Sequence, residues 1–321
     1  MTLSDVIRRF PNEDAAKAHL FRLRWPNGEV ACPRCKKAER IYRRAPRANE
    51  TVSYRWVCKS CNKNGYGFSL TTGTVFEEGK VPLDKWFQIL FLMLGSKKGM
   101  SALQVQRQVF GQTVVAKGKN RGKVVGKGSY ETTWYACHRI RAAMKEQSFR
   151  RLMGVVEVDE TYIGGKAKNR HGGLRGKGNR IKGTRGPAGK AAVIGAIARK
   201  GNVVCQYIES ADAHTLSGFV AETVSSRVKL VATDQHAGYR RLGAMGFPHE
   251  RVDHSAGEYV RGEVHTAHLD SFWSLLKRGV VGTYHQVSRD YLPLYLNEFS
   301  YRHNRRNVLT ADVFDRVLEA C

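Results

Sequence analysis

"GVVEVDETYIGG", residues 154–165, reads as a strand with a contradiction inside it. Val155, Val156 and Val158 are β-branched and suit a buried strand, yet Glu157, Asp159 and Glu160 interrupt them. Strand interiors disfavour Asp, and burying a carboxylate is unfavourable unless something positive pairs with it. The stretch therefore predicts a sheet whose first strand ends on an acid, Asp159, that waits for a cation.

The segments that follow fit one such sheet. "AAVIGAIA" and "VVCQYIES" form a hairpin through the turn "RKGN", and "AHTLSGFVAETVSS" has helical spacing. "VKLVATD" reads as a buried strand and "ERVDHS" as another, while "HLDSFWSLLKRGV" and "YLPLYLNEFSYRHN" are helical. Three strands, a helix, a strand, a helical turn, a strand and helices suit an α/β domain (an α+β mixed sheet flanked by helices) of ribonuclease H-like type over residues 151–321.

Two further acids fall where that sheet brings them close. Asp234, in "LVATDQH", ends the buried strand that follows the first long helix, and the two strand ends can be neighbours. Asp270 lies on a later helix whose apolar side is Leu269, Phe272, Trp273 and Leu276, with Asp270, Ser274 and Lys277 on an adjoining side. Converging carboxylates repel one another, and hard divalent cations relieve this; Mg²⁺ accepts a few carboxylates plus water and phosphate oxygens. Two such ions clamp the attacking and leaving oxygens of an in-line phosphoryl displacement, so two Mg²⁺ or Mn²⁺ ions are expected. Taken singly, Asp159 reads as a cap or turn residue and Asp234 as an Asx-turn; the three together favour the metal.

The composition points the same way. The 321 residues suffice for two or three domains, and 54 Lys+Arg against 28 Asp+Glu leave a net charge of +26. That excess attracts polyanions, usually nucleic acid, with an anionic membrane surface as the competing partner. The longest apolar run, "WFQILFLML" at 86–94, is too short to span a bilayer, and "MTLSDVIRRF" lacks a signal-peptide core. A cytoplasmic protein without a membrane partner, nucleoid-associated when bound to DNA, is expected, with cysteines that are thiols or metal ligands.

The first half divides into a helical lead-in (1–29), a cysteine-bearing segment of short β-like pieces (30–80) and a helical region (81–150). Cys32 and Cys35 in "CPRC" and Cys58 and Cys61 in "CKSC" supply four thiolates for a closed, structural zinc site, a zinc ribbon. A redox CxxC would sit at a helix start beside a βαβ unit, which the pattern lacks. Cys137, Cys205 and Cys321 lie apart and read as packing residues. Arg34, Lys36, Lys37, Arg43, Arg44 and Arg47 around the ribbon suit phosphate contact, or a solvated face. Ser101 caps "ALQVQRQVF"; "GQTVVAKGKNRGKVVGKGS" shows no core-forming pattern and reads as a loop; "YETTWYACHRIRAAM" resumes as an amphipathic helix. The two helices around that loop resemble helix-turn-helix with the second entering the major groove, or else form a plain connector. Residues 164–190 are glycine-rich and basic without a Walker or dinucleotide motif. They read as a loop that orders on the DNA backbone through Lys166, Lys168, Arg170, Arg175, Lys177 and Arg180, with a solvated linker as the alternative.

With these residues in view, "VVEVDETYIGG", "ATDQHAGY", "HSAGEYV", "SFWSLLKRGVVGTYH" and "NEFSYRHNRR" resemble bacterial insertion-sequence DDE transposases of the ISXO2-like type, amino-terminal zinc ribbon included. The resemblance covers nearly the whole chain. It implies a ribonuclease H-like core that cuts and joins DNA at element ends, with Asp159, Asp234 and Asp270 as the acids in order. It also implies a phosphate contact at Lys277, with Arg278 beside it. One metal would activate water for cleavage, and the freed 3′-OH would attack target DNA. Partners would be element ends and target DNA, and joining two ends implies a homodimer or higher oligomer. Three features depart from the family pattern: Asp270 stands where Glu, or Asn in some branches, is usual; Ala267 replaces a common Asn and makes His268 an alternative third ligand; and residues 111–128 are inserted. Two rival functions are a catalytically decayed zinc-ribbon DNA-binding protein and a general ribonuclease H-like nuclease.

Overall fold

The computed structural model describes residues 1–48, 50–116, 118–119, 121–146, 150–164, 190–252, 261 and 264–320. The chain divides into two compact units, residues 1–144 with 308–321 and residues 145–307.

The first unit opens with α1 (Leu3–Arg9) and α2 (Glu13–Arg24). Thr2 and Asp5 cap α1 reciprocally, and the Asn12 side chain accepts from Ala15 N–H to cap α2. A three-stranded antiparallel sheet follows, β1 (Ile41–Arg43), β2 (Arg55–Cys58) and β3 (Tyr66–Ser69), in sequential order. Then come α3 (Leu83–Gly95), α4 (Ala102–Phe110), β4 (Gln112–Val114), β5 (Val124–Gly126) and α5 (Tyr130–Ala143). Residues 111–128, expected as a loop, thus contain an antiparallel hairpin of β4 and β5. Each strand has only three residues, below the length at which alternation shows in a sequence.

Beyond the second unit the chain adds α9 (Thr310–Ala320) to the first. Phe314 of α9 lies 6.2 Å from Phe10 and 6.0 Å from Phe87, and Phe10 meets Phe87 edge-on at 4.8 Å. Residues 310–320 therefore build the amino-terminal core, and the expected assignment of the whole carboxyl-terminal stretch to the sheet domain does not describe them.

The second unit is the expected mixed sheet. It contains β6 (Val155–Ile163), β7 (Ala191–Ala198), β8 (Val203–Ile208), α6 (Ala213–Thr223), β9 (Leu230–Thr233), β10 (His249–Arg251), α7 (Ala267–Gly279) and α8 (Leu292–Asn304). Among the described residues the strand order is β10-β9-β6-β7-β8. β6, β7 and β8 run antiparallel, while β9 is parallel to β6 and β10 to β9. Every residue of β7 is buried, as a central strand covered on both faces requires. One face packs Val156, Val158, Ile194 and Ala196 against Leu216, Phe219 and Val220 of α6. The other packs Val193 and Ile197 against Leu269, Phe272, Trp273 and Leu276 of α7 and Leu296 and Phe299 of α8. Among the described residues no helix is long and apolar enough to cross a membrane.

Candidate active site

Strand register brings the first two acids together. In the parallel pair, Glu157 of β6 stands opposite Ala232 of β9. Asp159 and Asp234 each lie two residues further on: Asp159 falls in the middle of β6, just past its last pairing with β9 and not at the strand's end as expected, and Asp234 falls just past the end of β9. Carboxylate oxygens of Asp159, Glu160 and Asp234 all lie within 4.8 Å of one another. Asp234 Oδ1 accepts from the His236 N–H at 2.9 Å, and Glu160 Oε2 accepts from the Tyr239 hydroxyl at 2.8 Å. His236 Nδ1 accepts from Gly238 N–H, which places the ring proton on Nε2, 3.8 Å from Glu160 Oε1 and too far for a hydrogen bond.

The crowding shows in the protonation of Asp159. Burial first, then the charges of Glu160, Asp234 and Asp270, push its carboxyl up to about 7. A hydrogen bond from Trp273 Nε1 to Asp159 Oδ2, at 3.0 Å, opposes that rise. Burial likewise raises Glu160, against the Tyr239 hydrogen bond. Three oxygen-donor acids gathered this closely, with Asp159 and Glu160 held toward their protonated forms, fit a hard divalent cation.

The opposite wall is α7, and β7 has to make room for it. Gly195 pairs with Asp159 across the antiparallel register, and a Cβ there would come within 2.6 Å of the Trp273 ring. Glycine lets the indole lie over the sheet and reach Asp159. Asp270, in the first turn of α7, is exposed and accepts from Thr266 Oγ1 at 3.2 Å.

Glu157 fixes that helix. Its side chain is wholly buried on the same face of β6 as Asp159. Oε2 accepts from the backbone N–H of His268 (2.9 Å) and Leu269 (3.2 Å), supplying the helix cap that Thr266 does not make. Oε1 accepts from Arg199 Nε at 3.1 Å and pairs with His268 Nδ1 at 2.8 Å. His265 completes a second cluster with Glu157 and His268 that has metal-ligand spacing. The guanidinium and the two amides already occupy the Glu157 oxygens, so the cluster reads as a helix anchor and not as a cation site.

In the first unit, the four ribbon thiols lie within 4.8 Å of one another, with Cys32 Sγ 3.6 Å from Cys61 Sγ and Cys35 Sγ 3.7 Å from Cys58 Sγ. Desolvation and the neighbouring thiols push Cys61 up to about 12, a crowding that a zinc ion relieves by taking four thiolates. The comparisons with known proteins match a domain over each of these two regions. An ISXO2-like transposase domain matches residues 151–304, and a transposase zinc-ribbon domain matches residues 11–64. The chain carries an ISXO2-like transposase domain together with a transposase zinc ribbon. It is also 28% identical, over 310 residues and 92% of each chain, to an uncharacterised protein in transposable element ISH50 of Halobacterium salinarum.

Within this transposase frame, the structure brings Asp159 and Asp234 together with Glu160, while Asp270 on α7 lies outside that cluster and acts on Asp159 through its charge. His268 is turned to Glu157, and Lys277 and Arg278 are exposed in the last turn of α7. Lys166, Lys168, Arg170, Arg175, Lys177 and Arg180 lie outside the described residues, as does Cys321. Cys137 is buried in α5, consistent with packing. Two of the ribbon's basic residues do local work: Arg43 lies over Tyr54 and Trp56, at 5.8 and 5.6 Å from the ring centres, and Arg34 over Tyr66 at 5.6 Å. Sequence reasoning assigns no role to Glu160, Glu157 or Tyr239. The run of acids in "VEVDE" is visible, but the face each one takes depends on register.

Proposed function

We propose that this transposase binds the ends of its insertion sequence, cuts there with the help of divalent metal, and joins the freed end to target DNA. The observation that carries this reading is the meeting of Asp159, midway along β6, with Asp234, just past the end of the neighbouring parallel strand β9, within reach of the charge of Asp270. Bound divalent metal supplies the charge that activates water and stabilises the leaving oxygen. Asp159 and Asp234 hold it from the sheet, and Asp270 closes the set from α7. We prefer Asp270 to His268 as third ligand because an oxygen suits Mg²⁺ or Mn²⁺ better than imidazole, and because His268 Nδ1 is engaged by Glu157. Trp273 holds Asp159 in place through Oδ2, while Lys277 and Arg278, two turns along α7 from Asp270, contact the phosphate backbone. The basic segment 164–190 adds further backbone contacts, and the ribbon keeps its fold with zinc on Cys32, Cys35, Cys58 and Cys61. A dimer or larger assembly on DNA follows from the need to join two ends.

The test is a plasmid carrying the DNA that flanks the gene, incubated with purified protein and Mg²⁺ or Mn²⁺. Cleavage and joining confined to the ends, lost in Asp159→Asn, is the expected result. Asp270→Ala should abolish it and His268→Ala should only reduce it. Binding without cleavage would mark a decayed DNA-binding protein, and cutting without end preference or joining a general nuclease.

A further inference from the structure

From Lys85 to Tyr130 the chain carries nine lysines and arginines and no aspartate or glutamate. This stretch holds α3 from its third residue on, α4 and the β4–β5 hairpin. Residues 96–101 join α3 to α4 by a tight turn in which Gly99 takes φ +84° and Ser96 Oγ donates to the Gly99 carbonyl at 2.6 Å. Two helices joined by a short glycine-bearing turn have the connectivity of a helix-turn-helix, in which α4 takes the second place. Ser101 caps α4 by accepting from Gln104 N–H. α4 buries Ala102, Val105, Gln106 and Val109 and exposes Leu103, Gln104, Arg107 and Gln108.

The hairpin after α4 is held by the helix itself. The buried Gln106 donates from Nε2 to the carbonyls of Lys127 (3.1 Å) and Gly128 (2.9 Å). A Cβ on Gly126 would come within 2.6 Å of that side chain. A two-stranded hairpin is marginal alone, so this buried amide is what fixes it to α4. Away from that base, Lys119, Arg121 and Lys123 are exposed. α5, by contrast, exposes Tyr130, Glu131 and Tyr135 in its first turns; its Arg139 donates to the Glu77 carbonyl at 2.6 Å and its Arg141 is buried.

We propose that α4, not α5, is the helix that reads DNA bases, through Gln104, Arg107 and Gln108, and that the β4–β5 hairpin grips neighbouring phosphates. Arginine pairs bidentately with guanine and glutamine with adenine in the major groove, whereas a cationic ribbon holds backbone regardless of sequence. The inference rests on the end-binding reading and names the residues that give it specificity.

The experiment compares a duplex from the DNA flanking the gene with a scrambled duplex, over a salt series, using the full zinc-loaded chain. Gln104→Ala/Arg107→Ala/Gln108→Ala should lower the preference for the flanking duplex by roughly 5- to 150-fold for each bidentate base pairing removed. Arg107→Lys, which keeps the charge, should lose preference while binding scrambled DNA as before. Lys119→Gln/Arg121→Gln/Lys123→Gln should weaken both duplexes alike and flatten the salt slope by about 0.9 for each phosphate no longer neutralised. These side chains are exposed, so melting curves should match wild type. Wild-type protein that discriminates while the α4 variants discriminate equally overturns this proposal alone, as does loss of preference on Tyr130→Ser/Tyr135→Ser. Wild-type protein that binds both duplexes alike overturns the end-binding reading with it.

Discussion

The ribbon and the acid-bearing sheet each crowd like groups together, but they are built in opposite ways. The ribbon's thiols come from two local turns, and their 3.6 and 3.7 Å separations approach the edge of about 3.8 Å that four sulfurs make around zinc. Such a site is closed and has no place for a substrate. The acids come from β6, the end of β9 and α7, offer oxygens, and leave Asp270 exposed. An open oxygen site admits phosphate as a further ligand. On the proposed reading the ribbon would use its metal to fold, and the sheet, whose core packs without one, would keep its acids for chemistry.

The first way to break this contrast has the largest expected effect. Removing zinc with a chelator, or replacing Cys58 with Ser, should unfold the ribbon, because structural zinc supplies on the order of 10 kcal/mol in such small domains. Trp56, buried between β1 and β3, should shift its emission to the red. A ribbon that stays folded without metal would remove the contrast.

The acid site should respond with the opposite sign. Asp159→Asn should lower metal-dependent cleavage on the order of 10⁴-fold, as loss of an essential group does. The metal-free protein should melt no lower than wild type, because one of the charges crowded against Glu160 and Asp234 is gone. Calorimetry with and without Mg²⁺ checks both halves, and a large loss of stability in the metal-free variant would make Asp159 a structural residue.

These differences also decided what the sequence could disclose. Cys32, Cys35, Cys58 and Cys61 are local in spacing and were readable, as were the strands of the sheet and the helices around it. Asp159 and Asp234 were readable because the order of elements makes their strands neighbours. Glu160 was not, since its place beside them depends on strand ends and on the Tyr239 hydroxyl that holds it. Glu157 was not, because its role exists only once α7 docks and presents two amide groups to it. The β4–β5 hairpin is pinned by one amide, Gln106, in a helix read only for its apolar spacing. Nothing local in "VFDRVLEA" says which core Phe314 will join.

Glu157 offers a finer test of the sheet's half of the comparison. Glu157→Gln keeps the volume but removes the buried charge that Arg199 pairs with at 3.1 Å, and breaking a buried pair this way costs about 3–5 kcal/mol. It also weakens the cap that sets α7. Cleavage by the folded fraction should fall, with the dependence on metal concentration displaced upward. Glu157→Asp, which keeps the charge, should recover part of each. Unchanged metal dependence in folded Glu157→Gln would show that α7 finds its position without this anchor.

The smallest effect separates the sheet's scaffold from its acids by pH. Burial, then Arg251, push His249 down to about 4, and burial, then Arg306, do the same to His303. Both therefore fold neutral, while in the unfolded chain they titrate near their usual 6.5. Between those values the unfolded chain binds more protons, so their contribution is fully present above about pH 6.5 and is lost as pH falls toward about 4. His249 Nε2 lies 2.9 Å from Thr233 Oγ1 and His303 packs edge-on against Phe272, so each charge would form inside packing that holds β9 or α7. Denaturation of the catalytic unit, followed over this range, should become easier with acid, and His249→Gln/His303→Gln should flatten the slope. A slope that persists in the double variant would place the acid sensitivity elsewhere in the sheet, and the scaffold would then share the protonation problem of its acids.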